Sequence, residues 1–222
     1  SEMAPTQLNI PRDYFYAEGE FTIPQPRRID RGTGGEETLN EAVALIAKSQ
    51  FPVIVSGGGV VMADGVQECI ALAERLGAPV VNSYLHNDSF PASHDLWCGP
   101  LGYQGSKAGM KLISQADVVI ALGTRLGPFG TLPQHGMDYW PKDAKIIQID
   151  ADHKMLGLVK SITVCICGDA KDVAEALYKK LVSEKLSCDA TTEERAQKIA
   201  DEKAIWELEL DEWIHETGSY SM

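Results

Sequence analysis

Residues 116–127 read Ala-Asp-Val-Val-Ile-Ala-Leu-Gly-Thr-Arg-Leu-Gly, and the fold follows from how this stretch is built. After Asp117 the run Val118–Leu122 has no polar side chain, so neither of its faces can be given to water. A short, unbroken apolar run closed by Gly123-Thr124-Arg125 reads as a strand buried on both sides, which is how parallel sheets are built. The same grammar recurs outward. Pro52–Ser56 runs into Gly57-Gly58-Gly59, Pro79–Ser83 is a second run, Lys145–Asp150 ends in an acid, and Ile162–Ile166 precedes Gly168-Asp169-Ala170.

Between these runs the spacing changes from continuous to helical. Glu36–Ser49 sets Leu39, Val43, Ile46 and Ala47 on one stripe. Gly65–Leu76 does the same with Val66, Cys69, Ile70, Ala73 and Leu76, and Gly77 stands where a C-capping glycine is favoured. Further helices are expected over 104–115 and from Gly168 to about Leu186. Strands separated by helical stretches indicate βαβ units with right-handed crossovers. The predicted fold class is α/β: a doubly wound, mostly parallel, Rossmann-like sheet of about six strands with helices on both faces. A short strand is also expected at Gln7–Ile10, within the leader that precedes this domain, while 84–103 and 126–142 are read as long loops.

Three regions are expected. Residues 1–35, rich in Pro and Arg near their end, form a leader and linker; 36–188 are the Rossmann-like domain; 189–222 are an acidic, amphipathic C-terminal helix. The 222 residues carry a formal charge of −12, and 189–216 hold ten acids against Arg195, Lys198 and Lys203, which is −7 of it. In that tail Ala196, Ile199, Trp206, Leu210 and Trp213 recur at helical spacing, so it should seek a partner surface. The acidic balance argues against binding nucleic acid or an anionic membrane. No apolar run approaches the roughly 20 residues of a membrane span, and SEMAPTQLN has no signal-peptide core, so a cytoplasmic setting is expected. Five cysteines without a C-x-x-C spacing read as buried, reduced thiols, with Cys165 and Cys167 on one side of a strand.

In an open parallel sheet, ligands bind beyond the carboxyl ends of the strands. The candidate cofactor-binding residues there are Gly57, Gly58, Gly59, Gly123, Thr124, Arg125, Asp150 and Asp169. Glycines let a phosphate approach backbone N–H groups, an arginine grips it bidentately, and a strand-end aspartate accepts from a ribose hydroxyl. The same glycines also serve close packing of strand and helix, and both uses stay open. His86, His94, His135 and His153 show no ligand spacing, and no nucleophile or phosphate-loop signature occurs.

From Glu36 to about Leu186, PVIVSGGG, ADVVIALGTRLG, KIIQIDAD and CGDAK resemble, in that order, the central domain of thiamine-diphosphate enzymes of the acetolactate-synthase type. PTQLNIPRD is similar to the last strand of that family's pyrimidine-binding domain and the linker after it. IPRDYFY, NSYLHNDSFP, GPLGYQGSKAGMK and GTRLGPFGTLPQHGMDYWP resemble its sulfoacetaldehyde-cleaving acetyltransferase branch. The resemblance implies a whole enzyme that converts sulfoacetaldehyde and phosphate to acetyl phosphate and sulfite, using thiamine diphosphate and Mg²⁺. It implies flanking pyrimidine- and diphosphate-binding domains as partners and a homo-oligomer. The family's activating glutamate and its G-D-G…N motif belong to those flanks, so these residues are expected to be an excised central segment, inactive alone and without catalytic or metal residues. Acetolactate synthase holds FAD in this domain and some relatives an adenine nucleotide such as ADP. Here Leu126-Gly127-Pro128-Phe129 replaces the Phe-Asp-Asp-Arg of FAD-binding relatives, which implies a vestigial pocket at the eight residues above. The alternatives are a free-standing FAD- or adenine-nucleotide-binding regulatory module, and the central domain of an acetolactate synthase.

Overall fold

A computed structural model describes residues 7–20, 22–25, 32–186 and 189–217. The chain divides into two compact units, Ser1–Asp30 and Arg31–Met222. In the first, Arg12–Tyr16 forms a single 3₁₀ turn, and Leu8, Ile10, Tyr14, Phe15, Tyr16 and Ile23 are exposed. Gln7–Ile10 is not a strand, which corrects the expectation above.

The second unit holds a six-stranded, all-parallel sheet in the order β3-β2-β1-β4-β5-β6. Its elements are α1 (Glu36–Lys48), β1 (Pro52–Ser56), α2 (Gly58–Met62), α3 (Val66–Leu76), β2 (Val80–Asn82), β3 (Trp97–Pro100), α4 (Lys107–Ile113), β4 (Val118–Leu122), β5 (Lys145–Asp150), β6 (Val164–Cys167), α5 (Ala170–Ser183) and α6 (Asp189–Thr217). The sixth strand is β3, inside the stretch read as a loop. Only four residues long, with a glycine and a proline, and on the sheet edge, it has no local signature.

Side-chain alternation along each strand divides the core into two layers. Ile54, Val118, Ile120, Leu122, Ile147, Ile149, Val164 and Ile166 face α1, α3 and α5. Val53, Val55, Val119, Ala121 and Ile146 face the other way, onto α4, Tyr139 and Ile199 of α6. Every residue of β1 and β4 is buried, as their apolar runs require. At roughly 25 cal/mol per Å² of apolar area, this two-sided burial is the main term holding the sheet together.

α6 finds its partner surface within its own chain. Arg195 is buried and donates to the carbonyls of Leu76 (2.7 Å), Gly77 (3.3 Å) and Gln50 (2.9 Å), at the end of α3 and the turn before β1. Farther along, Lys111 pairs with Glu202, and Lys107 pairs with Glu209 beside the rings of Trp206 and Trp213.

Cysteine burial follows position in the sheet. Cys69 and Cys98 are buried, whereas Cys165 and Cys167 are exposed, contrary to expectation; Cys188 lies outside the described residues. β6 is an edge strand joined to β5 by an irregular loop, so its second face has no helix over it and alternates buried with exposed. No helix among the described residues is long and apolar enough to cross a membrane.

Candidate functional site at the strand carboxyl ends

β1 and β4 lie side by side where strand order reverses, with Ser56 opposite Leu122. The turns that leave them, Gly57-Gly58-Gly59 and Gly123-Thr124, therefore meet. Gly57 N–H donates to Leu122 O (3.0 Å) and Gly59 N–H to Gly123 O (2.8 Å). A Cβ on Gly57 would stand 2.5 Å from Gly123 O, and one on Gly59 2.6 Å from Gly123 Cα. Gly123 itself has φ +61° and faces Gly59 Cα at 2.7 Å from an ideal Cβ. Glycine is required here because two backbones touch.

Gly58 is covered differently. A Cβ there would lie 2.5–2.9 Å from three atoms of the His86 imidazole. His86 is held by a polar network that the sequence reading did not single out. Asn82 Nδ2 donates to Ser89 Oγ (2.9 Å) and His86 O (3.2 Å), Ser56 Oγ donates to Ser89 O (3.0 Å), and Trp97 Nε1 donates to Asn82 Oδ1 (2.5 Å). Asn82, Ser56 and Ser89 are all buried, so these bonds carry the cost of desolvating them. The local signal was a polar loop following a strand that ends in Asn; its closure over Gly58 was not legible.

A diphosphate cradle needs free N–H donors and open space above its glycines. The N–H groups of Gly57 and Gly59 are already bonded to the chain, and the space over Gly58 holds an imidazole. The glycine turn does not fit a dinucleotide diphosphate.

Thr124 is buried with its Oγ1 accepting from Leu126 N–H (3.2 Å), while its carbonyl accepts from Gln148 Nε2 (3.1 Å). Arg125 is exposed at the end of β4, close enough to Asp150 at the end of β5 for its charge to act on that carboxyl. Burial and the neighbouring Asp152 charge push the Asp150 carboxyl up from its ordinary value; hydrogen bonding and Arg125 oppose this. Asp150 Oδ1 accepts from Asp152 N–H (2.9 Å). Asp169 stands apart beyond β6, where it caps α5 by accepting from Lys171 N–H (3.0 Å) and Asp172 N–H (3.4 Å), while its own N–H donates to Gly32 O (2.8 Å). The eight residues thus resolve into a packed glycine–threonine contact, Arg125 and Asp150 at neighbouring strand ends, and a helix cap.

Among the described residues no three His, Cys, Asp or Glu side chains converge to hold a metal ion. His94 instead accepts from Leu96 N–H (3.2 Å) and lies 3.3 Å from Glu74.

Residues 39–177 match the family described as thiamine pyrophosphate enzyme, central domain. Sulfoacetaldehyde acetyltransferase of Castellaniella defragrans is 66% identical over 221 residues, and its namesake in Alcaligenes xylosoxydans xylosoxydans 68% over 222; each alignment covers 100% of this chain and 37% of the relative. The acetolactate synthase large subunit of Corynebacterium glutamicum is 33% identical over 193 residues, covering 85% of this chain and 30% of its own. An X-ray structure from Mycobacterium smegmatis, described as a thiamin diphosphate-dependent enzyme, superposes with a TM-score of 0.57 at 29% identity. That match covers 69% of this chain and 29% of that one. The chain spans a little over a third of the length of the acetyltransferases it matches.

Proposed function

The chain belongs to the central-domain family of thiamine pyrophosphate enzymes, and from that premise we propose that it is the structural central domain of a sulfoacetaldehyde acetyltransferase. The whole enzyme converts sulfoacetaldehyde and phosphate to acetyl phosphate and sulfite. The observation that carries this reading is the 66–68% identity to two such enzymes over 100% of the chain, twice the 33% shared with an acetolactate synthase.

In this reading thiamine diphosphate and Mg²⁺ sit between a preceding pyrimidine-binding domain and a following diphosphate-binding domain, in a cytoplasmic homo-oligomer. Residues 1–35 and 189–222 are the links to those domains. The central domain contributes a rigid sheet whose two exit turns are fastened together at Gly59 and Gly123. Its nucleotide crevice is vestigial: Gly57, Gly58, Gly59, Gly123, Thr124, Arg125, Asp150 and Asp169 keep the positions of a nucleotide site, but Gly57, Gly59, Gly123 and Asp169 bond their N–H groups within the chain and His86 fills the space over Gly58. The packed turn and the imidazole over Gly58 support this.

Two measurements test the reading. With thiamine diphosphate, Mg²⁺, sulfoacetaldehyde and phosphate, the protein encoded by the complete open reading frame should form acetyl phosphate, and residues 1–222 alone should form none. Acetyl phosphate from the 222 residues, or none from the complete protein, overturns it. ADP should leave the melting temperature of the 222 residues unchanged, and the purified protein should show no flavin absorbance. A second reading, an adenine-nucleotide module, is favoured only by Arg125 and Asp150 standing at neighbouring strand ends; stabilisation by ADP that is lost in Arg125→Ala would establish it.

A further inference from the structure

The loops that leave β2, β3 and β4 at the carboxyl edge each bring one aromatic ring to the same place. Phe129 stacks on Tyr84 with ring centroids 5.4 Å apart and an interplanar angle of 25°, and Tyr103 stands edge-on to Tyr84 at 6.4 Å. These rings are not core: Phe129 is 60% and Tyr103 51% exposed, with Leu132 at 53% and Leu85 at 76%. Leu85 also has φ +69°, a left-handed conformation that costs a leucine about 1–2 kcal/mol and here holds an apolar side chain out in water. The platform is backed by a rigid joint, because Tyr103 N–H donates to Phe129 O (2.9 Å) and Gly102 packs against that same carbonyl.

The course of α6 says what covers it. The helix starts at the opposite edge of the sheet, where Arg195 holds Gln50, Leu76 and Gly77. From Arg195 to Trp213 it advances about 27 Å at about 1.5 Å per residue. Trp213 then lies 6.5 Å from His135, whose Nε2 bonds to Gly105 O (3.1 Å) in the loop that carries Tyr103. The last turns of α6, which ends at Thr217, therefore stand beside the loop that carries Tyr103. In the acetyltransferases it matches, the aligned residues are 37% of the length, so most of each relative lies outside them.

We propose that the platform formed by Tyr84, Leu85, Tyr103, Phe129 and Leu132 is the seat of the domain that follows α6 in the whole enzyme. The inference rests on the central-domain reading above. Aromatic side chains bury about 150–250 Å² each, so the three rings with two leucines supply the apolar centre of an interface of about 800 Å² per side.

The test uses the enzyme expressed from the complete open reading frame, with p-benzoylphenylalanine placed at position 129 and, separately, at position 132. Position 154 in the exposed β5–β6 loop is the control. After irradiation, crosslinked peptides from 129 or 132 should map to sequence beyond residue 222, and those peptides should be lost when the probe is at 154. Crosslinks to sequence before residue 31, to positions 84–132 of a second copy, or to nothing in either labelled enzyme overturn the proposal. Acetyl phosphate formation by the unlabelled enzyme is measured in parallel. Its absence refutes the functional reading whatever the crosslinks show, and an active enzyme with crosslinks elsewhere refutes the platform alone.

Discussion

Replacing Arg195 with methionine is the sharpest test of how α6 is held. The guanidinium is buried, and its N–H groups reach three carbonyls, those of Leu76, Gly77 and Gln50, at 2.7, 3.3 and 2.9 Å. Two of these belong to the last turn of α3 and its left-handed cap, where the helix dipole also favours a cation. Methionine keeps most of the apolar stem and removes every donor. Three carbonyls left without a partner cost about 1–1.5 kcal/mol each, toward the low end because water entering along the helix replaces part of the loss, for about 3–4 kcal/mol in all. At about 2–4 °C per kcal/mol for a chain of this size, the melting temperature should fall by about 6–16 °C. Arg195→Lys should recover less than half of that, because an ammonium cannot fork to carbonyls on two elements. Calorimetry reads the shift, and hydrogen exchange locates it: α6 peptides should lose protection while β1 and β4 peptides keep theirs. A melting temperature within about 2 °C of the parent, or equal loss of protection in α6 and the sheet, refutes Arg195 as the clamp.

Gly123→Ala should be strongly destabilising, by about 2–6 kcal/mol from a left-handed alanine plus forced contact with Gly59, read as insoluble or low-melting protein. Burial works to raise the Asp117 carboxyl, but hydrogen bonds from the Ser49 hydroxyl and the Gln50 and Phe51 amides outweigh it and hold the group below its usual range. A depressed acid stabilises the fold above its unfolded value near 3.9 and loses that contribution as pH falls through the folded value. Denaturant titrations from neutral pH to below about pH 4 should therefore show a flatter acid limb in Asp117→Asn than in the parent. Native protein should react with a thiol reagent at Cys165 and Cys167, while Cys69 and Cys98, each pushed up to about 12 mainly by burial, react only on unfolding. Peptide mapping of fast labelling at Cys69 or Cys98 would contradict the packing.

The acidic tail shows where sequence reading needed the structure. Its helical period and its tryptophans were legible, and so was its need for a surface. The surface itself was not, because Arg195 reads as a solvent-facing charge until the turns at Gln50 and Leu76–Gly77 are brought around it. The same holds at the glycine turn. Three consecutive glycines announce a close approach, and only the tertiary structure decides whether phosphate or the chain itself makes it. Here Gly123 and His86 do.

The sequence by itself determined the layers. Runs such as Val118–Leu122 have no face for water, and helical stripes such as Leu39-Val43-Ile46 have one, so a parallel sheet covered by helices was the arrangement that buried both. Tertiary structure decided what depends on residues far apart in the chain. It placed the four-residue β3 at the sheet edge, left Cys165 and Cys167 bare on β6, and gathered Tyr84, Tyr103 and Phe129 from three loops. Burial periodicity is a local property, written every second or every third and fourth residue. Which distant backbone fills the space over a glycine or around a guanidinium is not.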